Sequence, residues 1–566
     1  MNALMPPASP AATAPSLPAP ESAQQTVRRL IVFVLLFVLV IVAAIGLGGL
    51  LGRVFEVVPG PVAGGGDALA GDGTSGLASS LAFTLIGGPL AAVVWWFVWR
   101  RAGDPAERAA LTWGLYLAGM STVALIAAAT ALLATIASLV DDEWRPRELG
   151  TGLAWAAVWV WHMRVARNTA KSPQRLITVP LVIGGVYGLL VAVANAVSLL
   201  SSLFDVALRG SVQTLIGDPW WTLTLKALVW LIGGALVWWW YWYRLAARRV
   251  SSTFAAVVLV LVGVLGASLL ALGGFGIMLY VLLRLAFDRG EPLPELLDPA
   301  PGALAAALVG LLVWVYHRGI AQDRSPATRQ AGRLVTSAAG LAAAAAGIGI
   351  IVNSILAAFG QPLAGGDLRP LLLGGISSLL IGGPVWWLSW RPLAPVGPRE
   401  RIFAGRRVYL IAVFGLSAVV AIVALLIIGF QVFDYALRPV NVDSLLDRVR
   451  APLGVLVATT LVAGYHFGAW RADRASGATD AAARPRTIAR VTLVLGSAGV
   501  GSDQAELVDA VGDSTGAQVT VWRVAGPGEA SVAASDLALA LQSVTGNRVL
   551  VICGPGTRIE VIPLAD

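Results

Sequence analysis

The side chains suited to chemistry near neutral pH are few: three histidines, His162, His317 and His466, and one cysteine, Cys553, in 566 residues. Each histidine follows an aromatic residue, as Trp161-His162, Tyr316-His317 and Tyr465-His466, and the three recur about 150 residues apart. Imidazoles at equivalent positions read as polar caps at a membrane interface, beside arginines such as Arg164 and Arg318. The alternative is a ring that converges at one mouth of the molecule, where it would titrate, gate a passage or hold a metal. A single cysteine excludes an intramolecular disulfide and a cysteine-based zinc site. Cys553 ends an apolar strand beside a glycine and reads as a buried, inert thiol.

Tryptophan supplies the second set of candidates. The pattern Trp-Trp-x-x-Trp occurs three times: Trp95, Trp96 and Trp99; Trp238, Trp239 and Trp242; Trp386, Trp387 and Trp390. A Gly-Gly pair precedes each. Such rings form an aromatic belt at headgroup depth, or a cage for a cationic or aromatic ligand if the spacing gathers them on one helix face. Asn195 and Asn353 lie deep in apolar segments, where an amide seeks a hydrogen bond to a neighbouring helix or lines a polar pathway. Lys226, just beyond Asp218, reads as snorkelling to the interface. Near the C-terminus Gly496, Gly499 and Gly501 form a G-x-x-G-x-G turn between a strand and a helix. Its amides suit an anion, although the order is not the dinucleotide fingerprint and a plain tight turn is the simpler reading.

The absences weigh more. No Asp or Glu falls inside the apolar runs, which disfavours ion-coupled transport, and no Walker A, His-Glu-x-x-His or Gly-x-Ser-x-Gly sequence occurs. Neither an enzymatic activity nor a cofactor or metal is expected.

The elements that position these residues follow from composition. Hydrophobic residues make up 57% of the chain and charged residues 13%, about half the charge usual in soluble domains, and the mean hydropathy is +0.78. Twelve stretches between charges are long enough to span a bilayer, from Arg29–Arg53 to Arg450–Arg471. The net charge of +8 does not signal nucleic acid, because the basic residues lie at the ends of apolar runs. Most of them fall in alternate loops, such as Arg100, Arg101 and Arg108 or Arg244, Arg248 and Arg249, which places both termini in the cytoplasm. The arginine- and alanine-rich usage suits a bacterial cytoplasmic (inner) membrane.

The landmarks divide the membrane region into three parallel four-helix repeats, residues 28–172, 173–330 and 331–475, each opening with an Arg-Leu step (Arg29-Leu30, Arg175-Leu176, Arg333-Leu334). They are expected to surround a pseudo-three-fold axis. Residues 1–27, rich in Pro, Ala and Ser, read as a disordered cytoplasmic tail, and 476–489 as a linker. Residues 490–566 alternate strand and helix patterns, a small cytoplasmic α/β domain. The fold class is thus an all-α polytopic membrane protein with a C-terminal α/β domain.

With its Arg-Leu starts and Trp-rich, His-containing helix ends, the chain resembles an uncharacterised bacterial family of polytopic membrane domains of unknown function, in three copies over residues 28 to 475. That resemblance implies no activity and no site. The leading expectation is a non-enzymatic membrane scaffold or sensor that presents the α/β domain, and the alternative is a passive permease or channel along the axis. The expected partners are the lipid bilayer and a cytoplasmic protein or small-molecule ligand for the C-terminal domain.

Overall fold

Hydrocarbon offers no hydrogen bonds, so a segment that crosses it must satisfy its own backbone, and the helix is the local solution. The structure is a computed structural model; it describes residues 23–57, 73–210, 219–359, 368–391, 404–438, 444–483, 488–495, 502–523, 532–542, 544, 546–554 and 558–564. Repeat 1 comprises α1 (Ala23–Val57), α2 (Thr74–Arg101), α3 (Leu111–Asp141) and α4 (Pro146–Arg167). Repeat 2 comprises α5 (Val179–Arg209), α6 (Trp220–Arg244), α7 (Thr253–Phe287) and α8 (Leu293–Gln322). Repeat 3 comprises α9 (Pro326–Phe359), α10 (Arg369–Trp390), α11 (Ala404–Leu437) and α12 (Leu445–Ala483).

Among the described residues eleven helices are long and apolar enough to cross a membrane, against the twelve expected. The exception is α4. It forms in its expected place, but Glu148 in its first turn, and His162 and Arg164 near its end, leave too short an apolar run. Its position comes from packing against α1 and α3. Two boundaries also move. Helix α1 begins at Ala23, within the expected tail, whose first 22 residues lie outside the described ones. Helix α12 continues to Ala483, through much of the expected linker.

Between helices in lipid there is little hydrophobic drive, so close backbone approach has to supply the packing. Glycine permits it. A Cβ on Gly150 of α4 would strike the backbone nitrogen of Gly52 on α1 and stand 2.6 Å from the Gly48 oxygen. In repeat 2 a Cβ on Gly234 of α6 would stand 2.6 Å from the Ala192 nitrogen on α5, and one on Gly274 of α7 would stand 2.6 Å from the Ala303 oxygen on α8. In repeat 3 one on Gly340 of α9 would stand 2.6 Å from the Trp386 nitrogen on α10.

Polar contacts join the repeats. Trp159 on α4 donates to the Tyr241 hydroxyl on α6 at 2.9 Å, and Ser377 on α10 donates to the Gly276 carbonyl on α7 at 2.5 Å. Lys226 on α6 forms an ion pair with Asp141 at the end of α3. The Lys226 ammonium thus reaches a carboxylate of the preceding repeat at the helix end.

The C-terminal unit is a four-stranded sheet in the order β2-β1-β3-β4, with β1 (Ile488–Leu495), β2 (Gln518–Arg523), β3 (Gly546–Cys553) and β4 (Ile559–Leu564). Strands β1, β2 and β3 are parallel and β4 is an antiparallel edge. Its helices, α13 (Ser502–Thr515) and α14 (Ala534–Leu541), pack on each other. They bury Val491, Leu493, Leu507, Val511, Leu537 and Val551 into one core.

Two adjacent glycines on α7 test the packing argument. Gly274 abuts α8, whereas a Cβ on Gly273 would meet nothing within 4 Å. Gly274→Ala is expected to lower the unfolding free energy in detergent by about 1–3 kcal/mol, and Gly273→Ala to leave it unchanged or slightly raised. Equal effects of the two substitutions would contradict backbone contact as the source of stability.

Candidate functional site: the aromatic and histidine clusters

Each histidine sits one residue beyond an aromatic on the last helix of its repeat, and all three are almost wholly buried, at 2%, 3% and 0% exposure for His162, His317 and His466. Their Nδ1 atoms lie 2.7 Å from the Val158 oxygen, 2.8 Å from the Val313 oxygen and 2.8 Å from the Val462 oxygen, each one turn back. A carbonyl can only accept, so Nδ1 carries the proton in all three rings, and Nε2 faces away from its own backbone.

In repeat 1, Nε2 of His162 lies 3.1 Å from the Tyr116 hydroxyl on α3, and in the neutral imidazole that hydroxyl donates to it. Tyr116 stacks on Trp113 with centroids 5.7 Å apart, and Trp95 on α2 stands edge-on to the imidazole at 5.6 Å. In repeat 2 the third helix presents Gly263, inside the π-helical turn Leu259–Gly266, directly against His317; a Cβ there would stand 2.7 Å from the ring. Trp242 on α6 packs on that ring at 5.7 Å. In repeat 3 the partner on α11 is Tyr409, 5.9 Å from His466.

The imidazoles thus lie on the core side of their helices, each against its own repeat's second or third helix. A converging ring would need His162 and His317 to face out of their repeats, and in the structure both face in. Among the described residues no group of three His, Cys, Asp or Glu side chains is placed to hold a metal ion.

The tryptophans divide rather than gather on one face. Residues i and i+4 share a helix face, but i+1 is turned by about 100°. Trp95 stacks on Trp99 at 6.1 Å and Trp238 on Trp242 at 6.3 Å, facing inward, and Trp390 is 1% exposed. The middle rings, Trp96, Trp239 and Trp387, are half exposed at 50%, 50% and 51%. Only the middle positions therefore have the exposure of an interfacial belt. A cationic ligand for the inner rings meets an obstacle in repeat 1, where the Lys171 ammonium already lies 3.7 Å from the Trp99 ring and donates to the Trp99 carbonyl at 2.8 Å.

The Asn195 amide donates to the Val191 carbonyl one turn back, at 2.8 Å, and among the described residues it has no bond to a neighbouring helix. The Oδ1 atom of Asn353 is buried on α9 with no hydrogen-bond partner among the described residues. Gly496, Gly499 and Gly501 lie outside the described residues. Cys553 is buried, and that burial pushes its thiol up from the ordinary range, which leaves little thiolate at neutral pH.

Sequence reasoning treated the arginines as topological markers and missed how differently they are used on the two faces. On the acid-rich face Arg145, Arg147, Arg209, Arg284, Arg438 and Arg448 all form ion pairs with carboxylates. On the arginine-rich face the ion pairs among the described residues include Arg29 with Glu107 and Arg406 with Asp473, while Arg248, Arg249 and Arg324 have no carboxylate partner. The signal was present in sequence as acids clustered in one set of loops, but which arginines they reach is a matter of packing.

These elements define a class: a multi-pass membrane protein of three four-helix repeats, each holding a buried aromatic and histidine cluster, followed by an α/β unit. The model of a domain of unknown function (DUF5671) matches the chain three times, over residues 29–161, 178–301 and 330–461, and the chain belongs to that family. Each match stops short of its repeat's histidine. No curated protein and no solved structure matches the chain.

The division of the tryptophans carries a prediction. Trp95→Ala is expected to cost about 3 kcal/mol or more of stability, because it empties the ring cluster around His162, and Trp96→Ala a small fraction of that. Thermal unfolding of the two variants in the same detergent decides it, and a larger loss for Trp96→Ala would reverse the assignment of inner and outer rings.

Proposed function

We propose that this multi-pass protein is a non-enzymatic membrane scaffold or sensor, which holds its C-terminal α/β unit at the cytoplasmic surface of the cell membrane. The observation that carries this reading is the backbone contact at glycines such as Gly150, Gly234, Gly274 and Gly340, which fills the helix interfaces with main chain. A pathway for solutes needs polar groups free to exchange partners. Here the histidine Nδ1 atoms and the Asn195 amide are committed to carbonyls of their own helices. Reactive chemistry finds no support in Cys553, a buried thiol.

The orientation rests on charge. On the acid-rich face arginines are tied to carboxylates, whereas on the arginine-rich face Arg248, Arg249 and Arg324 have no carboxylate partner among the described residues, and that face is read as cytoplasmic. The unit presented there has a surface to offer: Trp522 on β2 is 61% exposed, in register with Val494 on β1, which in turn pairs with Ile552 on β3. This row is what a soluble partner would meet.

Two measurements test the reading. Proteoliposomes of the full chain are expected to pass protons, potassium and small neutral solutes no faster than protein-free vesicles; a flux that scales with protein content would replace the scaffold by the permease. A fluorescent protein fused after Asp566 is expected to fluoresce in cells, as one exported across the membrane in unfolded form does not, and a dark, intact fusion would invert the orientation.

A further inference from the structure

On the arginine-rich face a cleft of about 970 Å³ opens between repeats 2 and 3. Its floor is the loop Arg248, Arg249 and Val250 after α6, together with the α8–α9 turn that carries Asp323, Arg324 and Ser325. The sides are the first turns of α7 and α9, and deeper lie Val257, Val260, Leu261 and Ile320. The lining therefore changes from cationic to apolar along the direction in which a membrane changes from headgroup to hydrocarbon.

The cationic end is held in place but not neutralised. Arg324 Nη2 donates to the Arg248 carbonyl at 2.9 Å, which fixes one loop to the other, while its Nη1 is buried with no hydrogen-bond partner among the described residues. Asp323 also lines the cleft, yet it forms no ion pair with the three arginines among the described residues. Desolvation pulls the Arg324 guanidinium below its ordinary range, so its charge is held at a cost that a bound anion would offset. The lining also carries the hydroxyl residues Ser251, Thr253, Ser325 and Thr328. Both flanking helices start here under serine caps. The Ser252 hydroxyl accepts from the Ala255 amide at 3.2 Å, and the Ser325 hydroxyl accepts from the Thr328 amide at 3.3 Å, so the positive ends of two long helices add to the same field.

We propose that this cleft binds the phosphate of an anionic phospholipid, with Arg248, Arg249 and Arg324 on the phosphate and the Val257, Val260, Leu261 and Ile320 wall against an acyl chain. Guanidinium groups suit a phosphodiester because they offer paired donors in a planar fork. Basic pockets between membrane helices at headgroup depth are the general form of such sites. A free phosphate would use the same arginines but would leave the apolar wall without a role, and that wall is why the lipid is favoured. The proposal is independent of whether the protein is a scaffold or a permease.

The test is native mass spectrometry of the full chain in detergent, titrated with phosphatidylglycerol or phosphatidylcholine. The wild-type protein is expected to retain phosphatidylglycerol, and the combined variant Arg248→Gln, Arg249→Gln, Arg324→Gln to lose about tenfold or more of that retention. A control with the same charge change on the same face, Arg100→Gln, Arg164→Gln, Arg167→Gln, is expected to keep it. Ala331→Trp, which fills the cleft and removes no charge, is expected to weaken binding as the triple variant does, so a folding defect of the triple variant would leave the question answerable. Equal retention by the cleft and control variants would overturn the site. Displacement of the lipid by millimolar inorganic phosphate would overturn the lipid assignment in favour of a free phosphate ligand.

Discussion

The constraint on which the rest depends is the absence of any hydrogen-bonding solvent around most of the chain. It forces helices, and because lipid gives those helices no reason to associate, it forces them to touch through their backbones. The glycines at 150, 234, 274 and 340 are the places where this happens, and the large rings are arranged around them. Gly188 and Gly234 let α5 and α6 close, which brings Trp238 and Trp242 inward and leaves Trp239 facing out. The aromatic clusters are thus a consequence of where the backbones meet.

Much of this was legible in sequence. A helix spanning hydrocarbon announces itself by apolar length, as eleven of the helices do, and recurrence of the Trp and His landmarks divides the membrane region into three units without any structural information. The α/β unit was equally readable, because its apolar strands and amphipathic helices follow local periodicity. What could not be read is direction around a helix axis when nearly every face is apolar. In a soluble helix a polar stripe would reveal which face His162 occupies; in α4 both faces carry tryptophan, so the choice between an outward interface cap and a core position depends on Tyr116 and Trp95, which arrive from other helices. The same ambiguity hid the split within each Trp-Trp-x-x-Trp. Pair partners were hidden for a related reason: Lys226 and Asp141 are in different repeats, and sequence gives no distance between them.

Charge shows how a rule based on counting acquires a physical basis. Arginines occur on both faces, and a count alone leaves those on the minority face unexplained. In the structure several of them are bound to carboxylates, Arg284 for example to both Asp288 and Glu291 at 3.0 Å, so these act as ties between helix ends more than as sources of field. On the other face, stacking of Arg100 over Trp96 at 4.7 Å and of Arg318 over Trp314 at 4.7 Å satisfies the guanidinium plane without cancelling its charge. The asymmetry in net field is therefore larger than the asymmetry in number.

The three repeats surround the histidine differently, and the differences show in what the third helix presents to it. In repeat 1 the Tyr116 hydroxyl partners the imidazole; in repeat 2 the backbone of α7 at Gly263 comes directly against His317. That approach lies within the π-helical turn Leu259–Gly266, the local widening that a helix uses to shift its face by one residue. The cost is imperfect filling: a small cavity of about 30 Å³ remains there, lined by Trp238, His317 and Arg324. Trp238 Nε1 is buried without a hydrogen-bond partner among the described residues. Repeat 1, with its hydroxyl in place, has the buried ring stack instead. Internal duplication has thus preserved the scaffold of helices while letting the polar interior diverge.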